Sequence, residues 1–287
     1  MSDACAGTSS FFELVSTDLS QANGWPELRC HLDDANLECA AQLLAEGIAR
    51  RRIGVNARLH SAWRSALSEP STASIEPADL QILEAGLLQN VGTPEKPAMV
   101  NHLHGLIAES IWLEVVAEAD TGLGSPIRVE GHDWSATDPG GDGLTVYSTD
   151  DEGWCFRLWE SKHHGSADPI RDTVNTACRQ VKTRSLSYLT RFSLIAQTIT
   201  DDASLATFYG SLAELWVNRD PAGGVGISVG ATDDGHDGGD CFGNVTSYFE
   251  LDDAQHQGHL HLIADFNDLA ERVQIELWKG CGLWTEP

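Results

Sequence analysis

Hydrophobic positions along the chain follow two rhythms, one of three to four residues and one of two. Leu37, Ala40, Ala41, Leu44 and Ile48 keep the first and predict a helix capped by Asp33 or Asp34 and broken near Gly54. Residues 57–67 form a second helical or extended piece, and Leu80, Leu83 and Leu87 predict a short helix started by Pro77. Pro94 and Pro97 mark residues 93–97 as a linker, because proline stops helix propagation. Beyond it, Leu103, Leu106, Ile107, Ile111, Trp112 and Val115 trace one face of a helix over 101–118. Asp168-Pro169 opens a long helix reaching residue 199, and another helix covers 201–215. Asp265 caps the last, through Phe266, Leu269, Val273 and Leu277, which ends at Gly280.

The two-residue rhythm predicts strands. Residues 144–147 and 155–159 are apolar and rich in β-formers, and the acidic turn 149–153 between them makes a hairpin. Residues 127–130 precede it as a strand, and 225–229 form another between glycines. Residues 258–263 alternate His259 and His261 with Leu260 and Leu262, which puts those imidazoles on one face. The first thirty residues are mixed, with 11–15 the candidate for a first strand and Gly24-Trp25-Pro26 a turn. From 101 to 199 the order is helix, three strands, helix. The linker divides the chain into a mostly helical accessory region, 1–98, and a core, 99–287.

The hairpin carries the chemistry. Residues two apart on a strand share a face, so Glu160 and Lys162 project together while Ser161 points away, and pairing near the open end brings Asp142 opposite them. A hard divalent cation takes oxygen ligands and keeps several waters. Asp142, Glu160 and the backbone carbonyl of Ser161 supply such a set, and Lys162 would stand beside a metal-polarised water. His163 and His164 follow directly and are either phosphate contacts or ordinary imidazoles at a strand end. His256, His259 and His261 lack a nearby matched acid for a metal site. The acidic loop 232–243 lacks the glutamate that ends a calcium loop and reads as solvated. No GxxxxGK[ST], GxGxxG or GxSxG element is present, so neither a nucleotide-driven motor nor an acyl transferase has support.

Asp142 in Gly140-Gly141-Asp142-Gly143, with Glu160-Ser161-Lys162 closing an apolar strand, resembles the PD-(D/E)xK nuclease superfamily over roughly residues 101–191. Gly141 stands where the family's name has proline. Gly105 and Glu109 match the spacing of a GxxxE element that several of these families carry on the first core helix, whose acid reaches toward the metal; the alternative is an ordinary exposed glutamate. The resemblance implies an α/β, restriction-endonuclease-like αβββαβ core, a mixed sheet flanked by helices, here with an N-terminal helical addition. It further implies Mg²⁺ or Mn²⁺ as cofactor and cleavage of DNA by Asp142, Glu160, Lys162 and Glu109. The order of a GxxxE helix, a Gly-Asp-Gly strand, Glu-Ser-Lys and a final Asp-Phe-led helix before Leu277-Trp278 also resembles the DUF1837 family. That family includes the nuclease subunit of the Hachiman anti-phage defence system, which implies a separate helicase subunit as partner. The rival from another class is a catalytically inert nuclease-fold protein-interaction module, and an acidic calcium-loop protein ranks last.

Charge changes this picture. The 287 residues carry a formal net charge of -25, which argues against a protein that holds nucleic acid unaided, since duplex affinity comes largely from neutralising phosphates. Most of the 18 basic residues nevertheless fall in two stretches. Arg50, Arg51, Arg52, Arg58 and Arg64 form one; the other includes Lys162, Arg171, Arg179, Lys182, Arg184 and Arg191. Arg171, Arg179 and Lys182, with His163 and His164, are therefore the candidate nucleic-acid contacts. The seven cysteines form no CxxC pair and are expected to be reduced and mostly buried. With no signal-like start and no run long enough for a membrane span, a cytoplasmic protein is expected.

Overall fold

The computed structural model describes residues 8–68, 75–131, 142–149, 153–165, 167–235 and 238–284. It is an α/β fold built on one seven-stranded mixed sheet flanked by helices. In chain order come β1 (Ser16–Ser20), β2 (Glu27–Leu32), α1 (Leu37–Ile53), α2 (Ala57–Ser68), α3 (Pro77–Gly86), and a small hairpin of β3 (Gly92–Thr93) and β4 (Lys96–Pro97). Then follow α4 (Val100–Glu118), β5 (Arg128–Gly131), β6 (Gly143–Ser148), β7 (Trp154–His164), α5 (Ile170–Ile199), α6 (Ala203–Val217), β8 (Gly223–Thr232), β9 (His256–Ile263) and α7 (Phe266–Gly280). The sheet runs β1-β2-β9-β8-β7-β6-β5. β5, β6 and β7 pair antiparallel, β7, β8, β9 and β2 pair parallel, and β1 closes the edge antiparallel to β2.

The helices and the 127–130, 144–147 and 155–159 strands follow the periodicity closely. The N-terminal region differs from expectation. Residues 12–14 form a single 3₁₀ turn, the strand lies one step later, and β2 inserts beside β9 in the central sheet. This region is therefore a helical addition that also donates two strands. Its strand signal was hidden because β2 alternates Leu28, Cys30 and Leu32 with Glu27, Arg29 and His31 next to a turn rich in polar residues. Residues 93–97 are also more ordered than a linker, turning back as the β3–β4 hairpin with Gly92 at φ 72°.

Two cores sandwich the sheet. On one face Leu144, Val146, Phe156, Leu158, Val225, Ile227, Val229, Leu260 and Leu262 pack under α5 and α6. On the other, Leu28, Cys30, Leu32 and Ile263 pack under α1, α4 and α7. β8 explains how the second face takes large groups: Gly224, Gly226 and Gly230 occupy the positions where Arg157, Trp159 and Phe266 press closest, so a Cβ on Gly226 would lie 2.2 Å from the Trp159 ring. Cys30, Cys155, Cys178, Cys241 and Cys281 are free and buried as expected. Cys39 is disulfide-bonded, which corrects the expectation of reduced thiols throughout; a bridge without a CxxC spacing leaves no local mark in the sequence. No helix among the described residues is long and apolar enough to cross a membrane.

Candidate active site

β6 and β7 differ in length, and that difference makes the site. β6 begins at Gly143, opposite Trp159, whereas β7 continues five residues further to His164 beside β8. Beyond Trp159 the sheet therefore has a notch. Asp142 sits at its corner, its N–H donating to the Trp159 carbonyl at 2.8 Å. Its Oδ2 accepts from the Ser161 N–H at 2.6 Å. N–H and C=O of one strand residue point to the same edge, so the Ser161 carbonyl is directed into the same notch.

Alternation places Asp142, Glu160 and Lys162 on the α5 face, as the hairpin register requires. Lys162 Nζ pairs with Glu160 Oε1 and lies 3.7 Å from Asp142 Oδ2. Glu160 is almost sealed, with 3% of its side chain exposed, while Asp142 and Lys162 are partly open at 26% and 28%. Burial first, and then the charge of Asp142, push the Glu160 carboxyl up to about 8 against the pull of Lys162 and Arg184. Burial opposes the Lys162 ammonium, but Asp142, Glu160 and Glu109 together hold its pKa above the ordinary lysine value. Among the described residues the second oxygen of Glu160, Oε2, is buried without a hydrogen-bond partner. A buried carboxylate oxygen in that state is costly unless a cation or water meets it.

The notch opens into a cleft of about 1650 Å³ whose walls include Gly105, Glu109, Asp142, Ser161, Lys162 and Arg171. Glu109 comes from α4, on the other layer, yet reaches this cleft and the field of Lys162. Gly105 lies one turn before it, and nothing within 4 Å would oppose a Cβ there, so packing does not demand glycine. His163 and His164 also line the cleft. His163 packs against His104 and Phe266, with ring centroids 4.4 and 4.3 Å away, and burial followed by His104 lowers its pKa to about 4. His164 Nδ1 lies 2.8 Å from Thr173 Oγ1.

The proposed cationic contacts separate. Arg171 lines the cleft, but its Nε and Nη2 both donate to the Asp240 carbonyl, at 3.2 and 2.9 Å. Arg179 and Lys182 are exposed on α5 outside the cleft lining, and Arg179 donates to Thr176 Oγ1. The N-terminal arginines find partners within the chain, although the side chains of Arg50, Arg58 and Arg64 stay 63%, 66% and 61% exposed. Arg50 and Arg51 pair with Glu114, Arg58 with Asp79, and Arg64 with Glu46, while Arg52 donates to the Leu87 carbonyl. Gly140 and Gly141, which precede Asp142 in the motif, lie outside the described residues.

Periodicity alone did not single out Tyr188 and Arg184. Both come from α5, one turn apart. Burial, and then Asp142, Glu109, Glu130 and Glu160, raise the Tyr188 phenol, so its ring stands among the carboxylates of the site. Arg184 reaches the field of Glu160, and its Nη1 is buried without a partner among the described residues. Gln180, Arg184 and Tyr188 recur every four residues on the side of α5 that also carries Val181 and Leu189, a faint polar stripe within a face that reads first as core.

No three His, Cys, Asp or Glu side chains among the described residues form a metal cage. The residues present fit a looser site, two carboxylates and one carbonyl with water completing the shell, which is the habit of Mg²⁺ rather than of zinc. The unpartnered Glu160 Oε2 is the observation that favours a cation there. His256, His259 and His261 do not make a second site: His256 faces Trp25 and Phe249, whereas His259 and His261 are sealed on the opposite side of β9. The chain matches no protein-family model and no curated protein.

Proposed function

We propose that the chain is a Mg²⁺- or Mn²⁺-dependent nuclease that cleaves DNA phosphodiester bonds at the notch between β6 and β7. The observation that carries this is the convergence at the notch of Asp142, the Ser161 peptide and Lys162, which line one cleft, with the buried carboxylate of Glu160, one oxygen unpartnered among the described residues, paired to Lys162 beside them. Bound in the notch, a divalent cation supplies neutralisation of phosphate charge and acidification of a water. Asp142 and Glu160 hold the cation, with Asp142 oriented by the Ser161 N–H. Lys162, kept charged by its two carboxylates, acts as a cationic clamp on the phosphate rather than as a base. Glu109, from the opposite layer, orients water at the cleft side.

The order α4, β5, β6, β7, α5, then α6 and β8, supports reading this part of the sheet as a restriction-endonuclease-like core. The resemblance to DUF1837 supports an anti-phage effector working with a helicase. The cleft points the same way, because Glu109, Asp142, Asp168, Asp172, Asp234 and Asp240 outnumber its lysine and arginine and disfavour tight capture of DNA by this chain alone.

Plasmid cleavage with Mg²⁺ or Mn²⁺, with and without a helicase from the same source, tests the reading against Glu160→Ala and Lys162→Ala. Cleavage that needs the cation and falls at least about 100-fold in both variants is expected. Undiminished cleavage by folded variants contradicts the site, and no cleavage under any of these conditions favours an inert interaction module.

A further inference from the structure

Behind Glu160 and Lys162, the same sheet turns a second set of polar groups inward. Ser161, Ser228 and His259 lie side by side in register across β7, β8 and β9. His261, two residues along β9, places Nε2 3.1 Å from Ser228 Oγ. Ser161 is 6% exposed and the other three are 0% exposed. α4 and α7 close over this region: Ala108 and Phe266 sit against Gly230, and Trp112 against Gly143. His259 packs on Trp159, with ring centroids 4.6 Å apart.

For so buried a location the row is poorly satisfied. Among the described residues Ser161 Oγ, both ring nitrogens of His259 and Nδ1 of His261 have no hydrogen-bond partner. Apolar side chains of similar size would avoid that penalty. Burial keeps both imidazoles neutral, so the row adds no charge that would repel or compete for a cation. Adjacent buried donors and acceptors with unspent capacity are where proteins hold internal water, which bridges two to four such groups. The row abuts the one peptide on which the notch depends. Ser161 gives its N–H to Asp142 and directs its carbonyl to the same edge, while its side chain enters the row.

We propose that Ser228, His259 and His261, bridged to Ser161 by internal water, form a positioning layer that fixes the Ser161 peptide and, through it, Asp142 in the cation site. The layer rests on the cation-site reading given above. It also accounts for serine between Glu160 and Lys162: the side chain serves the back of the strand while the backbone serves the front. Removing the layer's polar atoms leaves the fold intact and loosens the site.

The test compares wild type, Ser228→Ala, the double variant Ser228→Ala/His261→Leu, and the conservative His261→Gln, by Mn²⁺ titration followed by electron paramagnetic resonance and by thermal melting without metal. Unchanged or higher melting temperature, with Mn²⁺ affinity at least about fivefold weaker in the double variant, weaker to a smaller degree in Ser228→Ala and largely restored in His261→Gln, is expected. Wild-type affinity in both Ser228 variants overturns the positioning role, as does an affinity that falls only in step with the melting temperature. Should the double variant fail to fold, Ser228→Ala decides alone: affinity equal to wild type overturns the inference. Absence of Mn²⁺ binding by wild type is a different result, which removes the cation site itself and this layer with it.

Discussion

The two sides of β7 treat polarity in opposite ways. On the α5 side, Glu160 is paired with Lys162 and its carboxyl is raised by burial, while Lys162 and Asp142 open to a large cleft. On the α4 side, Arg157, Trp159 and Ser161 are sealed: Trp159 Nε1 donates to Thr145 Oγ1 at 2.9 Å, and two Arg157 nitrogens donate to the carbonyls of Phe156 and Ala254. One side keeps charged groups beside the cleft, and the other is closed to it, mixing bonded groups such as Trp159 Nε1 with buried ones such as Ser161 Oγ and Arg157 Nε that have no partner among the described residues. The proposed cation site would draw on both, since its carboxylates need an open front and a fixed strand behind them.

The comparison breaks most visibly on the open side, where Glu160→Ala or Lys162→Ala should lower cleavage at least about 100-fold while leaving the melting transition cooperative. On the sealed side the same size of change should act through stability instead. Gly226→Ala forces a Cβ to within 2.2 Å of Trp159, a ring already packed on Trp112 and His259, and should cost about 1–3 kcal/mol, read as a lower denaturant midpoint. Equal stability of that variant would mean that the Trp159 layer can relax.

A third test uses pH. The Glu160 carboxyl is raised in the folded protein, so its contribution is fully present below its ordinary value of 4.5 and is lost as pH rises toward about 8, where the buried group must ionise. Metal-free Glu160→Gln should therefore gain on wild type in melting temperature between pH 5 and pH 8. A constant difference across that window would contradict the assignment of burial as the cause. The smallest effect is expected at Gly105, where a methyl group meets open space. Gly105→Ala should stabilise α4 by about 0.5–1 kcal/mol and, if the glycine keeps the cleft wall low for substrate, reduce cleavage without affecting cation binding.

How much of this was legible follows the periodicities. α5 could be read from an apolar face at one period, and α4, β6 and β7, which are buried on both sides, from apolar runs bounded by turn residues; the shared face of Glu160 and Lys162 follows from strand geometry alone. The partnership of β2 with β9 could not be read, since more than 220 residues separate Glu27 from Gly258 and parallel pairing leaves no local turn signal. The pairing of the basic stretches was hidden for a related reason. Arg51 meets Glu114 and Arg58 meets Asp79 only through the packing of α1, α2, α3 and α4, so composition showed cations where the fold has ion pairs. The notch itself was invisible, because it depends on where β6 stops relative to β7 and strand ends are the least determined feature of a pattern. Tyr188 and Arg184 were hidden within a long helix whose inward stripe reads first as core.

The central claim is that Asp142 and Glu160 hold one divalent cation. Calorimetric titration of the metal-free protein with Mn²⁺ at pH 8, beside the Asp142→Asn/Glu160→Gln double variant, tests it most directly. One binding event in wild type that is absent from the folded double variant is predicted; an undiminished event in that variant, or none in wild type, contradicts the account.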